Sequence, residues 1–366
     1  LKYKFSLSFM NPLQDLYSDY LLASFEQTTA TGLSTLLEGE ISHDQITRML
    51  SSEQLSSRHL WLSVKPLVQT HASDDAVLIF DDSIIEKPHT DENALNCWHW
   101  DHSQSRTVKG INLLSAFYHS NPSNETEPLR VPVGYELITK PIMYSELKTR
   151  KFKRKSVKTK NELMQEMIEQ CIKNQLRFRY ILADSWFASA DNMRFIDRKK
   201  KFFIFDMKTN RNACLSEKDR NAGKWTRIDQ LDIADDAPVK VWLKDLEIPV
   251  LLVKQTFKNK GQSTGVRFLV SNDFSLSTDD FTTIYKKRWS VEEYHKSLKQ
   301  NASATKSPAR KIKTQSNHLF ASIMAYVKLE KLKFAHKMNH FAMKSKLYLA
   351  AIKATFKELG ELKLQL

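Results

Sequence analysis

The chain has 366 residues, 41% of them hydrophobic and 27% charged, the balance of a soluble globular protein with core enough for two or three domains. Lys and Arg number 56 against 42 Asp and Glu, and an excess of 14 positive charges favours a polyanionic partner, most simply nucleic acid. Three scattered cysteines, Cys97, Cys171 and Cys214, argue against a disulfide scaffold and a cysteine-built zinc site and fit a reducing cytoplasm, and no apolar run approaches a membrane span.

Leu1–Phe9 is too broken by Lys and Ser for a signal peptide, and Met10-Asn11-Pro12 reads as the more natural start. From Pro12 to about Gln69 the pattern is helical. Leu13, Leu16, Tyr20, Leu21 and Phe25 mark one amphipathic run, and Ser42 opens another with Gln45 as its capping-box partner. Short helices in series suit a bundle, with a helix-turn-helix DNA reader as the sharper alternative.

At Ala76 the period changes. Ala76–Phe80 is a continuous apolar run ending in Asp81, Asp82 and Ser83, a buried strand with acids at its mouth. Trp98, His99, Trp100, Asp101 and His102 then cluster. Without a fourth ligand for zinc, they read as an aromatic loop at the sheet edge or against DNA. Val108–Tyr118 and Leu129–Leu137 suggest a hairpin across the Asn121–Glu127 turn. Lys148 to Lys160 carries eight basic residues and no acid, Lys151, Lys153, Arg154 and Lys155 among them, and reads as a loop that tracks phosphates.

A helix over Asn161–Asn174 leads into a strand, Phe178–Ala183, which ends in Asp184. A short helix and an apolar strand at Phe202–Phe205 complete a strand–helix–strand unit. Between Lys208 and Asn272 only short β segments occur, which predicts a β-rich insertion. Ser277 caps the next helix, with Asp280 as its partner, and no Gly or Pro interrupts the run to Gln300. On that helix Tyr285, Arg288, Glu292 and Lys299 fall within about 60° of one another, while Ile284, Val291 and Leu298 form a packing stripe. Glu293 lies one residue, about 100°, off the polar stripe. A further amphipathic helix and a basic helical tail follow.

Asp82, Asp184 and Glu292 thus stand at two strand ends and on one helix stripe. A desolvated acid is costly unless paired or metal-bound, and strands about 4.8 Å apart let two such ends share a cation. Hard oxygen donors suit Mg²⁺ or Mn²⁺, and two such ions suit in-line phosphodiester displacement. Strand alternation puts Asp81 and Asp82 on opposite faces and does not choose between them.

The sequence resembles the IS4 group of DDE transposases of bacterial insertion sequences. Tyr285, Arg288, Glu292 and Lys299 match that group's signature of Tyr, two residues, Arg, three residues, Glu, six residues, Lys. Asp81-Asp82-Ser83 is similar to the group's first acidic motif, with Asp82 in the catalytic place, and Ala183-Asp184 to its second. The resemblance implies an α/β fold: a ribonuclease-H-like mixed sheet flanked by helices, with a β-rich insertion and an N-terminal helical region. Together with the residue patterns beyond the Ala76–Lys331 stretch that it covers, it divides the chain into an N-terminal helical region at 1–70, with a possible role at DNA ends, and a first part of the catalytic core at 71–207. The insertion at 208–272, the core helix with its packing helix at 273–335 and the basic tail at 336–366 complete the division.

It further implies that Asp82, Asp184 and Glu292 hold Mg²⁺ or Mn²⁺, two ions per site. Tyr285, Arg288 and Lys299 would hold DNA phosphates, and Trp289 would either stack on a base or pack against the core. The expected activity is cleavage of an element's ends and their joining to target DNA. A nuclease that does not join, and an inactive DNA-binding remnant, are the alternatives. The expected partners are terminal inverted repeats, target DNA and a second copy of the chain, in the bacterial cytoplasm at the nucleoid.

Overall fold

The computed structural model describes residues 10–102, 104–121, 127–147, 150–258 and 263–364. Residues 1–9, the middle of the 121–127 turn and Lys148 at the head of the basic run lie outside them. The described chain opens with the helices α1 (Pro12–Ala23), α2 (Ala30–Leu36), α3 (His43–Ser51) and α4 (Ser57–Thr70). The Ser42–Gln45 capping box is formed as its spacing predicts.

The strands β1 (Val77–Glu86), β2 (Cys97–Asp101), β3 (Arg106–Ser120) and β4 (Leu129–Ile138) follow, then β5 (Ile142–Ser145) and β6 (Phe152–Lys155). Next come α5 (Lys160–Lys173) and the expected strand–helix–strand unit of β7 (Tyr180–Ala183), α6 (Ala190–Arg198) and β8 (Phe202–Met207). The expected β-rich segment holds β9 (Asn212–Cys214), α7 (Glu217–Asn221), β10 (Thr226–Arg227), β11 (Val239–Leu243), β12 (Pro249–Lys258) and β13 (Thr264–Ser271). The helices α8 (Thr278–Lys286), α9 (Trp289–Gln300), α10 (Ile312–His336) and α11 (His340–Lys363) end it.

Among the described residues, eleven strands share one mixed sheet, in the order β10-β9-β11-β12-β13-β8-β7-β1-β3-β2, with β4 also on β3. The three central strands β1, β7 and β8 are parallel, and β13 returns antiparallel on β8, so the segment after Lys208 extends the same sheet. Helices cover both faces. Phe117 of β3, opposite Ile79, stacks on Tyr294 of α9 at 4.9 Å, and Tyr294 meets Tyr326 of α10 edge-on at 4.7 Å. Such ring pairs add about 0.5–1.5 kcal/mol each beyond burial. On the other face, Gly134 and Ala116 leave room for Ser57 of α4 and Met167 of α5. The parallel centre is therefore buried on both sides, which is why its strands read as unbroken apolar runs.

Three expectations change. The strand that begins at Ala76 does not end at the acids: Ser83, Ile84 and Ile85 go on pairing with Leu113, Asn112 and Ile111, and β1 runs to Glu86. The aromatic cluster at 98–102 is mostly an edge strand, β2, rather than a loop. The helix expected over Ser277–Gln300 is two. Between α8 and α9 the backbone bonds run three residues back, Arg288 to Tyr285, Ser290 to Lys287 and Val291 to Arg288, a tightened turn that ends one helix and starts the next.

Candidate active site

The parallel sheet centre and α9 set the geometry. β7 stops at Ala183, level with Phe80 of β1, so the side chains that come next in both strands open onto the same gap. Asp184 turns there: its carboxylate accepts the Trp186 amide at 3.0 Å, an Asx-type turn that ends the strand. Burial raises the Asp184 pKa, with Arg288 and backbone hydrogen bonds opposing and Asp82 adding to it.

Asp81 and Asp82 part company at this point. Asp81 lies on the face covered by α9, 3.7 Å from His295 Nδ1. Burial, then Asp184 and Asp82, push its pKa up to about 7, against the pull of the Arg288 guanidinium. Burial holds His295 down to about 3, so this contact joins a neutral ring to the acid, and His295 Nε2 is a buried nitrogen without a hydrogen-bond partner. Asp82, the residue expected as ligand, points to the opposite face. Its Oδ2 accepts from Asn112 Nδ2 at 2.8 Å and Lys160 Nζ at 2.7 Å. Asn112 pairs with Ile84, two residues on from Asp82, so the two side chains share a face by the pleat.

The polar stripe of the late helices reaches this gap from α8 and α9. Tyr285 is buried, and its hydroxyl donates to the Ala183 carbonyl at 3.3 Å, next to Asp184. Arg288 sits at the turn between the helices and bridges to Glu292 at 2.6 Å, one helical turn on, while its charge reaches Asp81, Asp184 and Asp206. Lys299 lies further along α9 in the field of Asp101 and Glu86; burial depresses its pKa. Glu293 faces elsewhere, bonded to Arg130 at 2.8 Å. Trp289 is half-exposed on an open cleft with Arg130, Lys286 and Lys287. The structure thus brings Asp184, Tyr285 and Glu292 together with Asp81 around Arg288, keeps Asp82 in the field of Asp184, and leaves Trp289 on a neighbouring wall.

Asp206 is a further acid of the site that the sequence pattern did not single out. It ends the apolar run of β8 as Asp184 ends that of β7, and it follows Phe205 as Asp184 follows Ala183, its register partner. Burial pushes its pKa up to about 6, with Arg267 and Arg288 opposing and Asp184 adding. A signal for it exists in the sequence: an apolar strand ending in an acid occurs three times, not twice.

The donors are carboxylates, the hard oxygen set that suits Mg²⁺ or Mn²⁺, and burial with the neighbouring Asp184 and Asp82 raises the Asp81 pKa. Among the described residues no three His, Cys, Asp or Glu side chains converge as a finished metal cage. The Arg288 guanidinium reaches Asp81, Asp184 and Asp206, Arg267 also faces Asp206, and Lys160 pairs with Asp82.

The basic run is less free than a loop would be. Phe152–Lys155 pairs with Ile142–Ser145 as an exposed two-stranded hairpin, Lys153 bonds Glu146 at 2.6 Å and Arg154 bonds Glu92 at 3.2 Å. Lys155 lies over the Tyr144 ring, and Lys151 also has an interaction partner. The three cysteines are free and buried, and no described helix is long and apolar enough to cross a membrane.

Two family models match the chain. One, described as a DDE superfamily endonuclease, covers residues 13–224; the other, a transposase DDE domain, covers residues 154–328. No curated protein matches.

Proposed function

Because the chain belongs to the DDE superfamily endonucleases, whose family model covers more than half of it, we propose that it is an IS4-group transposase with a ribonuclease-H-like core. In this reading it cuts the ends of its own element and joins them to target DNA. The observation that carries the proposal is the meeting of acids from β1, β7 and α9 around one arginine. Asp81, Asp184 and Glu292 are the proposed holders of Mg²⁺ or Mn²⁺, with Asp81 in the place first expected for Asp82. Bound there, the metal supplies Lewis-acid activation of the attacking oxygen and charge for the leaving one.

The remaining roles belong to the chain's own groups. Arg288 offers a planar fork to a phosphate once its acids have another cation. Tyr285 fixes the end of β7 through Ala183, and with it the position of Asp184. Lys160 neutralises Asp82 beside the site, and Lys299 and Trp289 extend the DNA contact on either side. Lys151, Lys153, Arg154 and Lys155 carry the duplex backbone, and pairing of two element ends makes a dimer on DNA.

The test uses DNA carrying the inverted repeats that flank the gene. Cleavage and joined products are expected with Mg²⁺ or Mn²⁺ and neither in EDTA. Cleavage without joining would favour a plain nuclease, and full cleavage in EDTA would refute the metal reading.

A further inference from the structure

The rim beside Asp184 carries aromatic rings that no part of the acid cluster uses. Trp186, two residues after Asp184, is 47% exposed, and Trp98 and Trp100 on the outward side of β2 are 51% and 55% exposed. The rings run on from one another: Trp100 meets His102 at 6.3 Å, and His102 meets Trp186 at 5.8 Å. Two ammonium groups lie over the Trp186 ring, Lys160 Nζ at 5.5 Å and Lys208 Nζ at 5.4 Å from its centroid, and a base that stacks there displaces them towards its own phosphates. Lys160 also holds Asp82, and so ties this wall to the acid-bearing strand.

Half-exposed tryptophans lose the benefit of burial, so a row of them with flanking cations needs a ligand that offers flat apolar faces and negative charge together. A nucleic-acid strand offers both. Within a duplex the base faces are stacked on one another and only the terminal pair shows one, so a succession of rings is matched by successive unpaired bases. Resting on the DNA-cleaving function proposed above, we infer that Trp100, His102 and Trp186, with Lys160 and Lys208, form a platform for the unpaired nucleotides of a DNA end beside the cleavage site. Bases stack on the rings, and the two lysines meet the phosphates.

The experiment compares two probes: a 20-bp blunt duplex, and the same duplex with a five-nucleotide single-stranded overhang. Wild type, Trp100→Ala, Trp186→Ala and Trp186→Phe are titrated by anisotropy, with tryptophan quenching read in parallel. Wild type is expected to prefer the overhang probe. Each alanine variant lowers that preference roughly five- to 150-fold for each base that no longer stacks, and Trp186→Phe keeps most of it. Equal affinity of wild type for the two probes, or an unchanged preference in both alanine variants, overturns the platform while leaving duplex binding intact. Failure of wild type to bind either probe overturns the platform and the DNA-cleaving reading together. Melting curves of each variant establish that it is folded.

Discussion

Asp81 and Asp82 are neighbours whose neutralisation should change stability in opposite directions. Asp81 is a part-buried carboxyl with a folded-state pKa of about 7 against an ordinary 3.8. Its folded pKa lies above its unfolded one, so the ionised carboxylate weakens the fold at alkaline pH, and the penalty fades as pH falls from about 7 towards 3.8. At about 1.4 kcal/mol per tenfold change in proton affinity, the penalty at pH 8 is roughly 4 kcal/mol. Asp81→Asn keeps the size of the side chain and an oxygen for the Asp82 amide, which Asp81 Oδ1 now accepts at 2.9 Å. It should therefore stabilise the metal-free protein by up to that amount, roughly 5 °C in melting temperature for a chain this long.

Asp82→Asn does the reverse. It leaves Lys160, whose side chain is only 24% exposed, without its 2.7 Å ion pair, at a cost of about 1–3 kcal/mol. The assay is urea unfolding at pH 8 in EDTA, repeated with Mg²⁺. Metal that binds only the folded state should raise the stability of wild type and Asp82→Asn, but not of Asp81→Asn. A destabilised Asp81→Asn protein, or one that still responds to Mg²⁺ while Asp82→Asn does not, would refute both the geometry of β1 and the choice of Asp81.

On α9, Glu292→Gln should abolish cleavage, since a neutral amide is a poor ligand for a hard cation, whereas Glu293→Gln should stay within a few-fold of wild type, as read by single-turnover cleavage. Arg288→Lys keeps the charge but loses the fork, and a drop of more than tenfold in cleavage with an unchanged melting temperature is expected. His99, His119 and His318 are buried with pKa values held down to about 3, so their ring proton resonances should stay fixed from pH 7.5 to 4.5; titration near pH 6.5 in the folded protein would contradict their packing. Neutralising Lys151, Lys153, Arg154 and Lys155 should flatten the salt dependence of duplex binding by about 0.9 in log–log slope for each phosphate the hairpin ceases to neutralise, and an unchanged slope would assign the hairpin another role.

Local chemistry was legible where the signal is local. The Ser277–Asp280 capping box, the Ser42–Gln45 box and the hairpin of β3 with β4 form as their residues predict. The end of β1 was not legible, because an acid pair usually closes a buried strand and only the long partner β3 keeps this one paired. Nor was the face of Asp81: both faces of β1 are covered, so no polar–apolar alternation shows which acid meets α9. The break at Lys287 and Arg288 carries no Gly or Pro to announce it. Trp186 and His102 meet only through the sheet order, which brings the end of β7 near the far hairpin of β2 and β3.

The acids that meet in this gap are far apart in the chain: Asp81 leads, and Glu292 follows about 210 residues later. During synthesis the sheet's central strands and Asp184 emerge well before α9, so a nascent chain carries two of the acids without the third or its arginine. A polypeptide released early, or stalled on the ribosome before α9 docks, would lack Arg288 and Glu292, the groups that complete the proposed centre. In the proposed reading, the order of the elements along the chain thus withholds the chemistry until α9 has been made.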